Sequence, residues 1–257
     1  MGKIIAIANQ KGGVGKTTTQ VNLSACVAAL GRRVLSLDMD PQGNASSGIG
    51  ITAVTGKSTY DVLMGDMSAH DCVMATPVQA LKIIAADIRL AGAEVEMVER
   101  EGREYLLKDA LSEIRKEYDY VFIDCPPSLG LLTINALCAA DRIIVPIQCE
   151  YYALEGVGQL MNTVKRVQRG LNTKLDIEGV VLTMLDGRTN LGIQVVQEVK
   201  KHFRQQVYST IIPRNVRLSE APSHGLPIHM YEPMSMGAEA YKDLANEFIA
   251  RCERSPG

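Results

Sequence analysis

Near the N-terminus the sequence runs Lys11-Gly12-Gly13-Val14-Gly15-Lys16-Thr17-Thr18. This stretch follows a short apolar run at residues 3–8. It precedes a helical pattern from about Lys16 to Leu30, with Gly31 placed to cap it. Strand, glycine-rich turn and helix in that order make a phosphate-binding loop. Glycines let the backbone curl so that successive N–H groups face phosphate oxygens, and the helix N-terminus adds donors and partial positive charge. Gly12, Gly13, Val14 and Gly15 supply the cradle, with Thr18 in the first helical turn. Lys16 has the reach for the β- and γ-phosphates of ATP, and the Thr17 hydroxyl is placed to ligate Mg²⁺. One position departs from the usual pattern: the expected first glycine falls at Gln10, and a second lysine, Lys11, opens the loop. The competing reading is a glycine-rich turn with stray lysines. The strand before and the helix after argue against it.

Beyond this loop, strand patterns recur at residues 33–38, 81–86, 120–124, 142–148, 179–185 and 207–212. Helical periods fall between most of them, at 101–117, 156–169 and 191–203. This alternation predicts an α/β fold with a single doubly wound, mostly parallel sheet flanked by helices. No repeat or low-complexity linker divides the chain, so residues 1–257 read as one domain. Hydrophobic residues make up 46% of the sequence but aromatics only 5%, and Trp is absent. The core is therefore aliphatic, as in a parallel sheet covered on both faces. Residues 52–78 read as loop and short helix at the domain edge. Ligands in such folds bind beyond the carboxyl ends of the strands. Gly12, Asp40, Pro126, Asp186 and Pro213 each follow a strand, so the topology gathers them along one edge.

Three carboxylates stand out there. Asp124 ends an apolar strand and is placed to hold Mg²⁺ through a water. Asp38 and Asp40 lie two residues apart and share a face of an extended chain. Turn-capping is the plain alternative for all three. Six cysteines are scattered without any C-x-x-C pair, which argues against a zinc site or a disulfide framework and suits a reducing cytoplasm. The formal net charge of -2 does not advertise a nucleic-acid binder, although a local patch is enough to make one. The N-terminus lacks the features of a signal peptide. No apolar run approaches the roughly 20 residues that span a bilayer.

The Lys11-Gly12-Gly13-Val14-Gly15-Lys16-Thr17 pattern is the deviant Walker A motif. With it, the chain resembles the ParA/Soj chromosome-partitioning ATPases, relatives of MinD, over essentially its whole length. The resemblance is carried by Asn9-Gln10-Lys11, Asp38-Met39-Asp40-Pro41-Gln42-Gly43-Asn44 and Ile123-Asp124-Cys125-Pro126-Pro127-Ser128. It continues in Leu182-Thr183-Met184-Leu185-Asp186 and in the run from Ile212-Pro213-Arg214-Asn215 through Arg217 to Pro222. It implies a weak ATPase, stimulated by DNA and a partner, in which Asp40 orients the attacking water. Asp38 serves either in the Mg²⁺ outer shell or as a loop-fixing acceptor. Lys11 would cross a face-to-face homodimer to touch the partner's ATP, with Gly12 at the close interface; the alternative is a contact within its own subunit. Pro213 and Asn215 would lie near the adenine. Arg188 and Arg217 match the family's non-specific DNA-binding arginines, while the remaining basic residues read as solvated helix faces. The implied partners are double-stranded DNA and a ParB-type centromere-binding protein, in the cytoplasm and on the nucleoid, with no stable membrane association.

Three other functions would each demand residues of a particular kind. A MinD-like membrane-cycling ATPase needs a basic amphipathic C-terminal helix. Here Tyr241, Leu244, Phe248 and Ile249 fall at helical spacing, but acids are as frequent as bases, so the helix reads as docked on the core. An iron–sulfur carrier needs two thiolates facing a partner, and Cys125 and Cys149 sit in no glycine-rich cluster loop. An ATP-using biosynthetic ligase needs a second substrate pocket, for which the sequence offers no signature.

Overall fold

The computed structural model describes residues 1–52, 54, 56–150 and 153–254; residues 53, 55, 151, 152 and 255–257, which fall within the 52–78 stretch and the 1–257 domain reading, lie outside it. Its strands are β1 (Lys3–Ile7), β2 (Val34–Asp38), β3 (Val73–Ala75), β4 (Leu81–Ile84), β5 (Tyr120–Asp124), β6 (Arg142–Gln148), β7 (Asp176–Leu185) and β8 (Val207–Pro213). They form one sheet in the order β3-β4-β2-β5-β1-β6-β7-β8. All neighbours pair parallel except the β3–β4 edge. The predicted doubly wound, mostly parallel sheet is therefore what forms.

Strand alternation assigns side chains to two cores. Ile4 and Ala6 of β1 join Val121 and Ile123 of β5 on one face. Ile5 and Ile7 join Tyr120 and Phe122 on the other. The second face is covered by helix α1 (Lys16–Ala29) and by the C-terminal helix Met236–Arg254. The first is covered by the helices Leu106–Leu111, Leu131–Ala139 and Ala153–Gly170. Both faces being buried explains why the strands read as continuous apolar runs.

Several sequence expectations needed correction. The 101–117 helix is broken: only Leu106–Leu111 is α-helical, followed by a 3₁₀ turn at Ile114–Glu117. Gly102 has a left-handed φ of 65°, which a helix cannot contain. The buried Asn135 side chain also accepts from Leu107 N–H and donates to the Arg103 carbonyl, outside a helical ladder. The 52–78 region contains more than a short helix. Thr59–Met64 opens on a reciprocal Ser58–Asp61 capping box and stops at left-handed Gly65. The antiparallel edge strand β3 was not foreseen; three residues carry no readable period.

The C-terminal helix docks on the sheet. Phe248 is fully buried, 5.0 Å from the Tyr120 ring and 5.3 Å from Phe122. Thr19 and Tyr241 share a hydrogen bond of 3.2 Å that ties this helix to α1. No helix among the described residues is long and apolar enough to cross a membrane. Phe248→Ala should destabilise the chain by about 3–5 kcal/mol, the usual cost of emptying a large buried aromatic site. Urea unfolding followed by circular dichroism measures it. A loss under about 1 kcal/mol would mean that the helix is not seated as described.

Candidate functional site

The loop between β1 and α1 is built to leave donors free. Gly13 and Gly15 take left-handed φ values of 73° and 85°, and no side chain caps the first turn of α1. Its leading N–H groups are therefore available to an anion. From the far side, Thr183 Oγ1 donates to the Val14 carbonyl at 2.8 Å and fixes the loop to β7. Asn9 braces the entry: its Nδ2 donates to the Pro146 carbonyl, and its Oδ1 accepts from Lys11 N–H. The sequence flagged Asn9 and Thr183 only as parts of longer motifs. Their signal was a polar residue inside or beside an otherwise apolar strand.

The two lysines of the loop are placed differently. Lys16 is buried, and its Nζ donates to the Lys11 carbonyl at 3.1 Å. Burial pushes its pKa down, opposed by the nearby negative groups, first among them Asp124. Lys11 is about a third exposed, with its ammonium 3.9 Å from Glu150 Oε2. Glu150 also lies 3.5 Å from Arg214.

The parallel register sets Asp38 directly beside Asp124. Both are fully buried. Asp124 Oδ2 accepts from Thr17 Oγ1 at 2.8 Å, while its Oδ1 is buried with no hydrogen-bond partner. Burial, then the charge of Asp38, pushes the Asp124 pKa well up. An orphaned carboxylate oxygen next to a threonine hydroxyl is the donor set that a hard divalent cation takes. Asp38 differs. Its Oδ2 accepts from Ser46 N–H and Oγ at 2.8 and 2.7 Å, and its Oδ1 accepts from Asp40 N–H at 3.0 Å. Burial still raises its pKa to about 6. Asp40 is partly exposed and accepts from Gln42 N–H at 3.0 Å.

A cavity of about 210 Å³ adjoins the loop, lined by Gly15, Thr18, Met184, Pro213, Asn215 and neighbouring residues. Asn215 caps the following short helix through Arg217 N–H. Met184, on the wall of this cavity, holds a left-handed φ of 54°, a conformation rare for a non-glycine residue. Arg188 stands on the loop after β7 and Arg217 in the short helix Val216–Glu220 after β8; the two follow neighbouring strands in which Leu185 is in register with Pro213. They are 88% and 53% exposed, and each pairs with a neighbouring carboxylate, Asp186 and Glu220 respectively. Cys125 and Cys149 are buried free thiols, and burial lifts Cys149 to about 11, which does not favour a cluster-binding role. Among the described residues no cluster of three or more His, Cys, Asp or Glu could hold a metal.

Fold and loop together define a P-loop nucleotide-binding ATPase. A family model described as an AAA domain matches residues 2–177. The chain is 64% identical to the sporulation initiation inhibitor protein Soj of Bacillus subtilis, over 97% of this chain and 99% of that one. It is 52% identical to the chromosome partitioning protein ParA of Myxococcus xanthus, over 98% and 89% of the two chains. Its backbone superposes with a TM-score of 0.87 on cobyrinic acid a,c-diamide synthase from Mycobacterium smegmatis with bound ADP and magnesium, at 38% identity over 98% and 96% of the chains. The chain belongs to the ParA/Soj family of chromosome-partitioning ATPases.

A buried acid with an unmatched oxygen costs stability unless something pairs with it. Asp124→Asn should therefore raise the stability of the nucleotide-free protein at pH 8 by about 1–2 kcal/mol. Thermal unfolding without added nucleotide or metal checks this. A variant less stable than the wild type would show that the Asp124 carboxylate is satisfied within the fold.

Proposed function

We propose that this chain is an Mg-ATP-dependent dimerisation switch acting in chromosome or plasmid segregation. Its ATP dimer binds duplex DNA without sequence preference, and a ParB-type partner stimulates hydrolysis to release it. The observation that carries the reading is the contrast between the two lysines: Lys16 is spent inside its own loop, whereas Lys11 stands at the rim, held by one long ion pair.

In this reading the backbone from Gly12 to Thr18 and the Lys16 ammonium bind the phosphates. Thr17 and Asp124, the latter through a water, hold Mg²⁺, whose charge when bound offsets that of the phosphate oxygens. Asp38 fixes the Asp40–Ser46 loop, since its carboxylate oxygens accept from Asp40 and Ser46. Asp40 is thereby aimed to accept a hydrogen bond from the attacking water. Pro213 and Asn215 contact the base in the adjoining cavity. Lys11 leaves Glu150 and reaches the partner's phosphates, with Gly12 allowing the close approach. Arg188 and Arg217, doubled in the dimer, meet DNA phosphates once they exchange their carboxylate partners. Basal turnover is slow, and DNA and the ParB-type partner raise it. The site of action is the cytoplasm and the nucleoid, and residues 1–257 work as one ATPase domain.

The MinD-like membrane reading is disfavoured by the C-terminal helix, whose Tyr241, Leu244 and Phe248 are buried against the sheet. A ligase reading has the diamide synthase likeness behind it, but at 38% identity against 64% and 52% for the partitioning proteins.

The test uses the full chain with Mg-ATP. Asp40→Ala should bind ATP, run as a dimer in size-exclusion chromatography with light scattering, and bind duplex DNA at low salt. Adding Arg188→Ala and Arg217→Ala should keep the dimer, weaken DNA binding and reduce the salt slope of log K by up to about 4. Lys11→Ala should bind nucleotide and stay monomeric. A Lys11→Ala protein that dimerises normally, or an ATP-bound Asp40→Ala dimer indifferent to DNA, contradicts the reading.

A further inference from the structure

Residues 86–94 leave the end of β4 and run along the edge that carries the phosphate loop. At one end, Ala86 N–H donates to Ser46 Oγ at 3.0 Å, and the Ser46 hydroxyl donates to Asp38. The segment thus closes the loop that bears Asp40. In the middle, Arg89 pairs with Asp61 and Asp87 at 2.7 and 2.6 Å, its guanidinium 4.7 Å above the Tyr60 ring. This anchors the segment to the capped helix Thr59–Met64, whose Thr59 hydroxyl donates to the Asp38 carbonyl at 2.7 Å. At the far end, Glu94 Oε1 accepts from Leu132 N–H at 3.2 Å. Leu132 lies in the first turn of the helix Leu131–Ala139, entered through the 125–130 loop that leaves Asp124. A Cβ at Gly130 would land on the Glu94 carboxylate. The absent side chain of Gly130 is therefore the space that Glu94 fills. Because Glu94 is a flexible side chain, the cost of filling that space is the lost cap rather than a backbone clash.

We propose that Glu94 is a positioning residue for ATP hydrolysis. By capping the helix beyond Gly130, it ties the loop leaving Asp124 to the strap that closes the Asp40 loop. The metal-holding and water-orienting carboxylates then keep one spacing while the phosphates rearrange. The proposal rests on the ATPase reading above and deepens it. Nucleotide is held chiefly by the phosphate loop, so loosening this strap lowers turnover and leaves ground-state affinity in place.

The experiment measures kcat and KM for ATP, and the Kd of a fluorescent ADP, for the full chain with Mg²⁺ as wild type, Glu94→Ala, Glu94→Gln, Gly130→Ala and the Glu94→Ala/Gly130→Ala double variant. Thermal unfolding of each is recorded alongside. Glu94→Ala and Gly130→Ala should each lower kcat about tenfold with ADP affinity within about twofold of wild type. Glu94→Gln, which keeps an acceptor oxygen, should recover most of the rate. The double variant should be no slower than either single one, because both remove the same contact. The proposal is overturned if both single variants turn over like the wild type, if their losses multiply in the double variant, or if Glu94→Gln is as slow as Glu94→Ala. A wild type that binds ADP without hydrolysing ATP would instead remove the ATPase reading beneath it.

Discussion

The structure depends on a buried carboxylate that the fold leaves half satisfied. Asp124 ends the strand paired to β1 and β2, is fully buried, and has one oxygen held by Thr17 and the other held by nothing. Asp38, equally buried, lies next to it in register. Two acids and Lys16 packed at one strand edge are costly for a fold in water. The parallel sheet concentrates these groups because each follows or ends a strand, and the glycine loop leaves its N–H donors uncapped above them. The apoprotein thus carries electrostatic debt that phosphates and a divalent cation would relieve.

In the proposed cycle, relief inside one subunit engages Lys16 and leaves Lys11 aside. The loop's second lysine, with its partner at 3.9 Å and substantial exposure, is the cheapest charge in the site to move, since exposed ion pairs contribute about 0–1 kcal/mol. Glu150 faces both Lys11 and Arg214, so the rim of the nucleotide site and the arginine-bearing β8 loop share one counter-ion. In the proposed cycle, phosphate capture, subunit pairing and exposure of the basic loops draw on the same few side chains.

Much of this was legible in the sequence because it is local. The segments 120–124 and 142–148 match β5 and β6 to the residue, since apolar runs bounded by turn residues are unambiguous when both faces are buried. The loop residues are contiguous, so one short window contains them all. What escaped was non-local. The helical period at 101–117 was real, but Gly102 and the Asn135 side chain overrode it. The bonds that join Ser46 to Ala86, Thr183 to Val14 and Glu94 to Leu132 span 40, 169 and 38 residues. No window of sequence pairs Glu94 with Gly130. The Asp38 carboxylate accepts its side-chain hydrogen bonds from Asp40 and Ser46, both in the loop that follows it.

Complementation between two disabled chains decides whether Lys11 completes the proposed site across a subunit interface. In a mixed dimer of Lys11→Ala and Asp40→Ala chains, the nucleotide site of the first keeps its own Asp40 and receives Lys11 from the second, so one of the two sites is whole. ATPase activity measured with DNA and the cognate ParB-type partner should be near background for each variant alone and should return on mixing. Mixtures that remain at the background of the separate proteins, under conditions where the two chains co-purify with Mg-ATP, would show that Lys11 does not act across the interface.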